Sequence, residues 1–361
     1  MLPPAGSSPA ERWVAAGRQA AAQDLILRLS MIEAAGPILA LAAEPADRDR
    51  LTELGITALE PMRGPFHFGR VLARIVSEKG FQQLAYFGGG SGPLMSVDLL
   101  QEAFDRIVQA EESLAVVNNY HSTDWIVLNR AQSLVSMSER LPQDNPLGWV
   151  LDNEVGYQVV ALPPSAGTRT DIDTPTDLLL LQHHPDLGTA LTTFLEESPK
   201  DRFAKVEQLR GVIQKPASTL SLIGRASSHL WQTLVQRTQI WVRMFVEERG
   251  MVASGRMARG EVQSLVGEMI DEWGPQAFIA RLTGMSDAVL WDTRVWMACK
   301  GSWPSTADRF AADLGWADQV ENEPLRELTR AISQSSVPII TGGYGVVSGG
   351  VYALLDAIGA G

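Results

Sequence analysis

A chain of 361 residues with 45% hydrophobic content can bury a large core and form two domains, which sets disorder aside. Its 30 Lys and Arg stand against 42 Asp and Glu, and the resulting formal charge of −12 argues against a general grip on nucleic acid or on an anionic membrane. A single cysteine, Cys299, excludes an intrachain disulfide framework and any multi-cysteine metal cluster.

The opening MLPPAGSSPAERW lacks the basic and apolar regions of a signal peptide, and no uncharged apolar stretch reaches the length of a membrane span. The expectation is a cytoplasmic protein with neither membrane nor nucleic acid as partner. Residues 9–34 set Trp13, Ala20, Leu25, Leu27, Leu29 and Ile32 among polar residues, which predicts an amphipathic helix ended by Gly36 and Pro37. PILALA at 37–42 reads as a buried strand, ADRDRLTELG as a short helix closed by Gly55, ITALE as a strand, and 68–79 as a helix closed by Gly80. QLAYF at 83–87 is a further strand, followed after GGGSGP by a helix from near Ser96 to about Glu111. SLAVVNN at 113–119, DWIVL at 124–128 and YQVVAL at 157–162 add three more strands. Helices alternating with short apolar strands predict an α/β fold with a three-layer, mostly parallel, Rossmann-like sheet, whose ligands bind beyond the carboxyl ends of the strands.

Beyond Pro175 the character becomes helical, through TDLLLLQHH, GTALTTFLEE, RFAKVEQLRGVI and LWQTLVQRT. The domain boundary is placed near Pro199, giving domains 1–198 and 199–361, the second α-rich with strands expected at 239–246, 288–298 and 337–341. No internal period marks a solenoid. Cys299, at the end of the apolar run DAVLWDTRVWMAC, reads as a buried thiol before it reads as a nucleophile.

The turn Gly88-Gly89-Gly90-Ser91-Gly92-Pro93 between strand and helix can present backbone N–H groups to a phosphate or carboxylate, or can simply make a tight turn. Asp171-Ile172-Asp173-Thr174-Pro175-Thr176-Asp177-Leu178 carries the marks of a helix start, with Thr174 as cap, Pro175 in the first turn and Asp177 near the positive end of the dipole. That account leaves Asp171 and Asp173, which can hold Mg²⁺ together with substrate phosphates.

On DIDTPTDL and on LAYFGGGSGPLMSVDLLQEAF, where Pro93, Leu94 and Ser96 carry the match, residues 35–190 resemble the molybdenum-cofactor nucleotidyltransferases (MobA-like) and the phospholactate guanylyltransferases. The resemblance implies a nucleotide-binding α/β domain that moves a nucleotidyl group with Mg²⁺, with Asp171 and Asp173 as metal-binding and catalytic residues. Two positions depart from that pattern. PILALA leads into AEPADRDR rather than a glycine-rich triphosphate loop, and Ser91 or Gly92 stands where the family has its metal-binding aspartate. Both departures point to a diverged member.

A second glycine turn follows VPIIT, in GGYGVVSGG, with Gly342, Gly343, Tyr344 and Ser348 as candidate ligand contacts or, equally, a close-packed chain-end turn. Arg237, Arg243, Arg249, Arg256 and Arg259 form a basic stretch; Arg256 and Arg259 are candidates for a phosphate, against the plainer reading of surface pairs with Glu247, Glu248 and Glu261. Asp292 and Arg294 interrupt an apolar run as either a buried ion pair or site residues. His67 and His121, in loops after strands, are the histidines suited to acid–base work, whereas His183 and His184 sit at a helix end. The leading expectation is a diverged nucleotidyltransferase-like enzyme that binds a nucleotide or other anionic metabolite with Mg²⁺, with assembly as a homo-oligomer left open. The alternatives are a non-catalytic ligand-binding or scaffold protein on the same fold, and an isomerase or lyase acting on an anionic metabolite.

Overall fold

The computed structural model describes residues 1–301 and 303–359. It is a mixed α/β chain that divides into two compact units: residues 1–5, 18–171 and 188–190 form the first, and 6–17, 172–187 and 191–361 the second. The acidic motif therefore straddles the division, with Asp171 in the first unit and Asp173 in the second. The whole of 199–361 lies in the second unit. No described helix is long and apolar enough to cross a membrane.

The first unit holds six strands: β1 (Leu39–Leu41), β2 (Thr57–Leu59), β3 (Leu84–Phe87), β4 (Leu114–Val117), β5 (Trp125–Leu128) and β6 (Gln158–Ala161). β1 and β2 pair in parallel as a separate ribbon, and the remaining four lie in the order β3-β5-β4-β6. β5 runs antiparallel to both neighbours, which corrects the expectation of a mostly parallel sheet in this half. The cause is chain length. Only residues 118–124 separate β4 from β5, too few for the crossover that a parallel pair requires. Helices Phe68–Lys79 and Val97–Gln109 start on the side-chain caps of His67 and Ser96, and left-handed Gly80 ends the first of them.

β1 and β3 do not pair with each other. At their carboxyl ends they are linked through the first two residues: Leu2 N–H donates to Leu41 O at 2.8 Å, Ala43 N–H to Leu2 O at 3.2 Å, and the Met1 amine to Phe87 O at 3.0 Å. Burial lowers that amine to a pKa of about 6. The rest of the gap is a cavity of about 340 Å³, walled by such side chains as Leu25, Leu39, Ala40, Leu84, Ala85 and Ile107.

The second unit carries β7 (Thr219–Gly224), β8 (Trp241–Val246), β9 (Ala288–Asp292) and β10 (Ile339–Gly342), all parallel, in the order β10-β9-β7-β8. The chain moves from β7 to β8 on one side and then places β9 on the other, so the winding reverses between β7 and β9. β9 stops at Asp292, and 294–299 form a helix instead of prolonging the strand to 298. A core of Trp291, Phe278, Ile270, Leu328 and Ile339 packs one face of this sheet.

Gly224 closes β7 at φ +111, and a Cβ there would lie 2.7 Å from the Cβ of Asp292. Gly224→Ala is expected to lower stability by more than about 2 kcal/mol in urea denaturation. Gly211→Ala, at an open helical position, is expected to raise it by about 0.5–1 kcal/mol.

Candidate functional site

The carboxyl ends of β7 and β9 bring Arg225 and Asp292 of the second unit together. Asp292 is fully buried at the end of β9 and accepts from Arg225 Nε at 2.5 Å and Arg225 Nη2 at 3.2 Å, just past the end of β7. The backbone N–H of Arg294 adds a third bond to the same carboxylate at 3.2 Å. The Arg225 guanidinium also lies over the Tyr344 ring, 5.4 Å from its centroid. Its Nη1, the Tyr344 hydroxyl and the hydroxyl of buried Ser348 make no hydrogen bond among the described residues.

Beneath this lies a second pair. Arg294 holds Asp313 by a two-pronged contact at 2.9 and 2.5 Å, with both side chains buried. Burial opposes both charges. For Arg294 the charges of Asp313, Asp292 and Asp177 together outweigh it, and its pKa stands above the ordinary arginine value.

The acidic motif supports the second glycine turn from the same unit. Asp177, in the first turn of helix Pro175–Leu180, accepts at Oδ2 from Asp173 N–H (3.0 Å), Thr174 N–H (2.7 Å) and Thr174 Oγ1 (2.8 Å), so the capping reading holds. Thr176 Oγ1 donates to Thr341 O at 2.5 Å. Gly342, Gly343 and Gly345 pack on Thr176, Thr174 and Asp177 respectively, and a Cβ at Gly345 would overlap Asp177 Oδ1. Burial, and then the charge of Asp173, push Asp177 up from the ordinary 3.8 to about 7.

The other expected site residues are placed as follows. Gly88, Gly89, Gly90, Ser91 and Gly92 form a largely buried turn in the first unit. Gly88 N–H and Ser91 Oγ both donate to Asp124 O, at 3.0 and 2.9 Å, and the Met1 carbonyl sits where a Cβ of Gly89 would be. Ser91 forms an isolated antiparallel bridge with Asp171, the one residue of the acidic motif that belongs to the first unit. Asp173 is exposed. His67 is a helix cap and His121 is exposed against Tyr120. Arg256 pairs with Glu248 at 2.7 Å and Arg259 with Glu261 at 2.8 Å, the plainer of the two readings.

Sequence reasoning missed Arg225 entirely. Its signal was the segment TLSLIGR, a strand ending in glycine and followed at once by a cation. As for Mg²⁺, no group of three or more His, Cys, Asp or Glu side chains able to hold a metal occurs among the described residues. Asp171 lies in the Ser91 bridge of one unit, while Asp173 is an exposed residue of the other. This donor set does not fit an ion held by the protein alone, and no chemical step is derived through one.

No protein-family model matches the chain, and no curated protein matches it significantly.

The raised Asp177 makes a pH prediction. An acid whose folded pKa exceeds its unfolded value holds its proton in the folded chain, so its stabilisation is complete below about 3.8 and is lost as pH rises through about 7. The stability of the wild type relative to Asp177→Asn is therefore expected to fall between pH 4.5 and 7.5, with a slope approaching about 1.4 kcal/mol per pH unit. Urea titrations of both proteins across that range measure it; a difference that stays flat would remove the assignment. Separately, Asp313→Asn leaves Arg294 buried with its charge unpaired and is expected to cost about 3–5 kcal/mol in the same assay.

Proposed function

We propose that this chain binds a nucleotide or phosphorylated metabolite at the carboxyl ends of β7, β9 and β10. The observation that carries the reading is Arg225. It stands where the winding of a parallel sheet reverses, the position at which open α/β sheets take their ligands. Asp292 fixes two of its nitrogens and leaves Nη1 without a partner among the described residues, the guanidinium lies over the Tyr344 ring, and the hydroxyls of Tyr344 and Ser348, in the turn that follows β10, are likewise unused. Three preset donors, one of them charged, suit an oxyanion better than a neutral ligand.

For the first unit the proposal remains a diverged nucleotidyltransferase-like domain of three-layer, Rossmann-like type. The meeting of Ser91 and Asp171 supports it. In the turn at 88–93, Gly88 N–H and Ser91 Oγ are both bonded to Asp124 O and the Met1 carbonyl fills the space over Gly89, so the anion is assigned to the second unit.

The test is isothermal titration and thermal shift with nucleoside mono-, di- and triphosphates and sugar phosphates, each with and without Mg²⁺. Tyr344→Phe and Ser348→Ala keep the Arg225–Asp292 pair intact and are expected to weaken binding by about threefold to tenfold each. Arg225→Gln is expected to weaken it by about tenfold or more. The absence of stabilisation by any of these compounds at millimolar concentration would overturn the reading.

A further inference from the structure

We propose that the cavity between β1 and β3 in the first unit is a binding site for one linear alkyl chain of about ten carbons, as found in a fatty acid or fatty alcohol. The site is separate from the anion site proposed above and does not depend on it. Its walls come from both faces of the split sheet, with Leu25 and Ile107 on one helical layer, Leu72 and Ile75 on the other, and Ala40 and Ala85 on the facing strands. No acidic or basic side chain lines it, and the one amine at its wall, that of Met1, is engaged by Phe87 O at 3.0 Å, a lining that does not suit a phosphate, a nucleotide or a metal. The polar side chains of its wall are Gln83, which is exposed, and Tyr86, whose hydroxyl is committed to Asp144 at 2.6 Å.

Size then selects the guest. A dry aliphatic cavity of about 150 Å³ accepts benzene. The 340 Å³ here is roughly twice that, the space of a chain of about ten carbons. The exposed members of the lining, Ala34, Gly36, Pro37, Gln83 and Val108, place the mouth at the end opposite the Met1–Leu2 link. That rim carries no charge, so an acid and an alcohol of equal length bind alike. The sheet leaves the volume open because β1 pairs with β2 alone among the strands, and β3 with β5 alone. Packing a chain into it gives the aliphatic side chains of the wall the dispersion contacts that an empty space denies them.

The experiment uses the full chain and two series of probes, n-alkanols and n-alkanoates of six to twelve carbons, read by isothermal titration and thermal shift below their micellar concentrations. Affinity is expected to rise by about fourfold per methylene and to level off near ten carbons, with acid and alcohol within threefold of each other. Ala85→Phe and Ala40→Phe each fill the cavity from a different strand. Each variant that retains the wild-type circular dichroism is expected to bind decanol at least tenfold more weakly. Three results would overturn the proposal: no stabilisation of the wild type by any probe, binding unchanged in the filled variants, or a preference for the carboxylate above tenfold. Failure here leaves the titrations with phosphates untouched, because those report on Arg225, Tyr344 and Ser348.

Discussion

A single carboxylate, that of Asp292, fixes the arrangement of the second unit's strand ends. With no exposure to solvent it must replace its hydration by hydrogen bonds, and it takes three: two from Arg225 and one from the Arg294 backbone. Those bonds join the end of β7 to the end of β9. They also explain Gly224, since a side chain at that position would run into Asp292. The arginine is thereby held as a fixed donor at the place where the winding reverses. Its remaining N–H groups owe their direction to that buried carboxylate.

The two glycine turns look alike as text and differ as structure. In the first, glycine allows the chain's own carbonyls to approach, with Asp124 O beside Gly88 and Met1 O over Gly89, so the turn is filled from within. In the second, glycine lets Thr174, Thr176 and Asp177 support the turn from below, while Tyr344 and Ser348 keep their hydroxyls uncommitted. Support on one side and unused donors on the other is the arrangement a binding turn needs. The acidic motif supplies that support, and its capping box accounts for more of its residues than metal ligation does.

Much of the architecture was legible where a local signal and the tertiary demand agreed. The helix Phe68–Lys79, with its apolar face and Gly80 stop, matches its expected bounds, and β3, β4, β5 and β6 fall within their expected runs. The failures have separate causes. β7 was overlooked because TLSLIG alternates hydroxyl and aliphatic residues; Ser221 is nonetheless fully buried, its hydroxyl 2.6 Å from that of Ser286, so its polarity is no mark of exposure. β9 was drawn too long because Asp292 and Arg294 looked like interruptions of one strand, when they mark the change from strand to helix. Arg225 was invisible for the same reason as β7, since a residue at a strand end has no special meaning until the strand is known.

The N-terminal dipeptide links two features of the first unit that the sequence presents as unrelated. Met1 and Leu2 occupy the carboxyl ends of β1 and β3, where the amine takes Phe87 O and the Met1 carbonyl covers Gly89. The same placement fills the first glycine turn and closes one end of the apolar cavity, which Gly88 and Gly89 help to line. A phosphate cradle at 88–93 would need that space vacated. Were it vacated, the cavity would lose its closed end and open to water beside the Phe87 carbonyl, now without its donor. Within this unit an anion-binding turn and an apolar cavity closed at this end are therefore competing uses of one volume, and the hydrogen bonds of Met1 and Leu2 decide for the cavity.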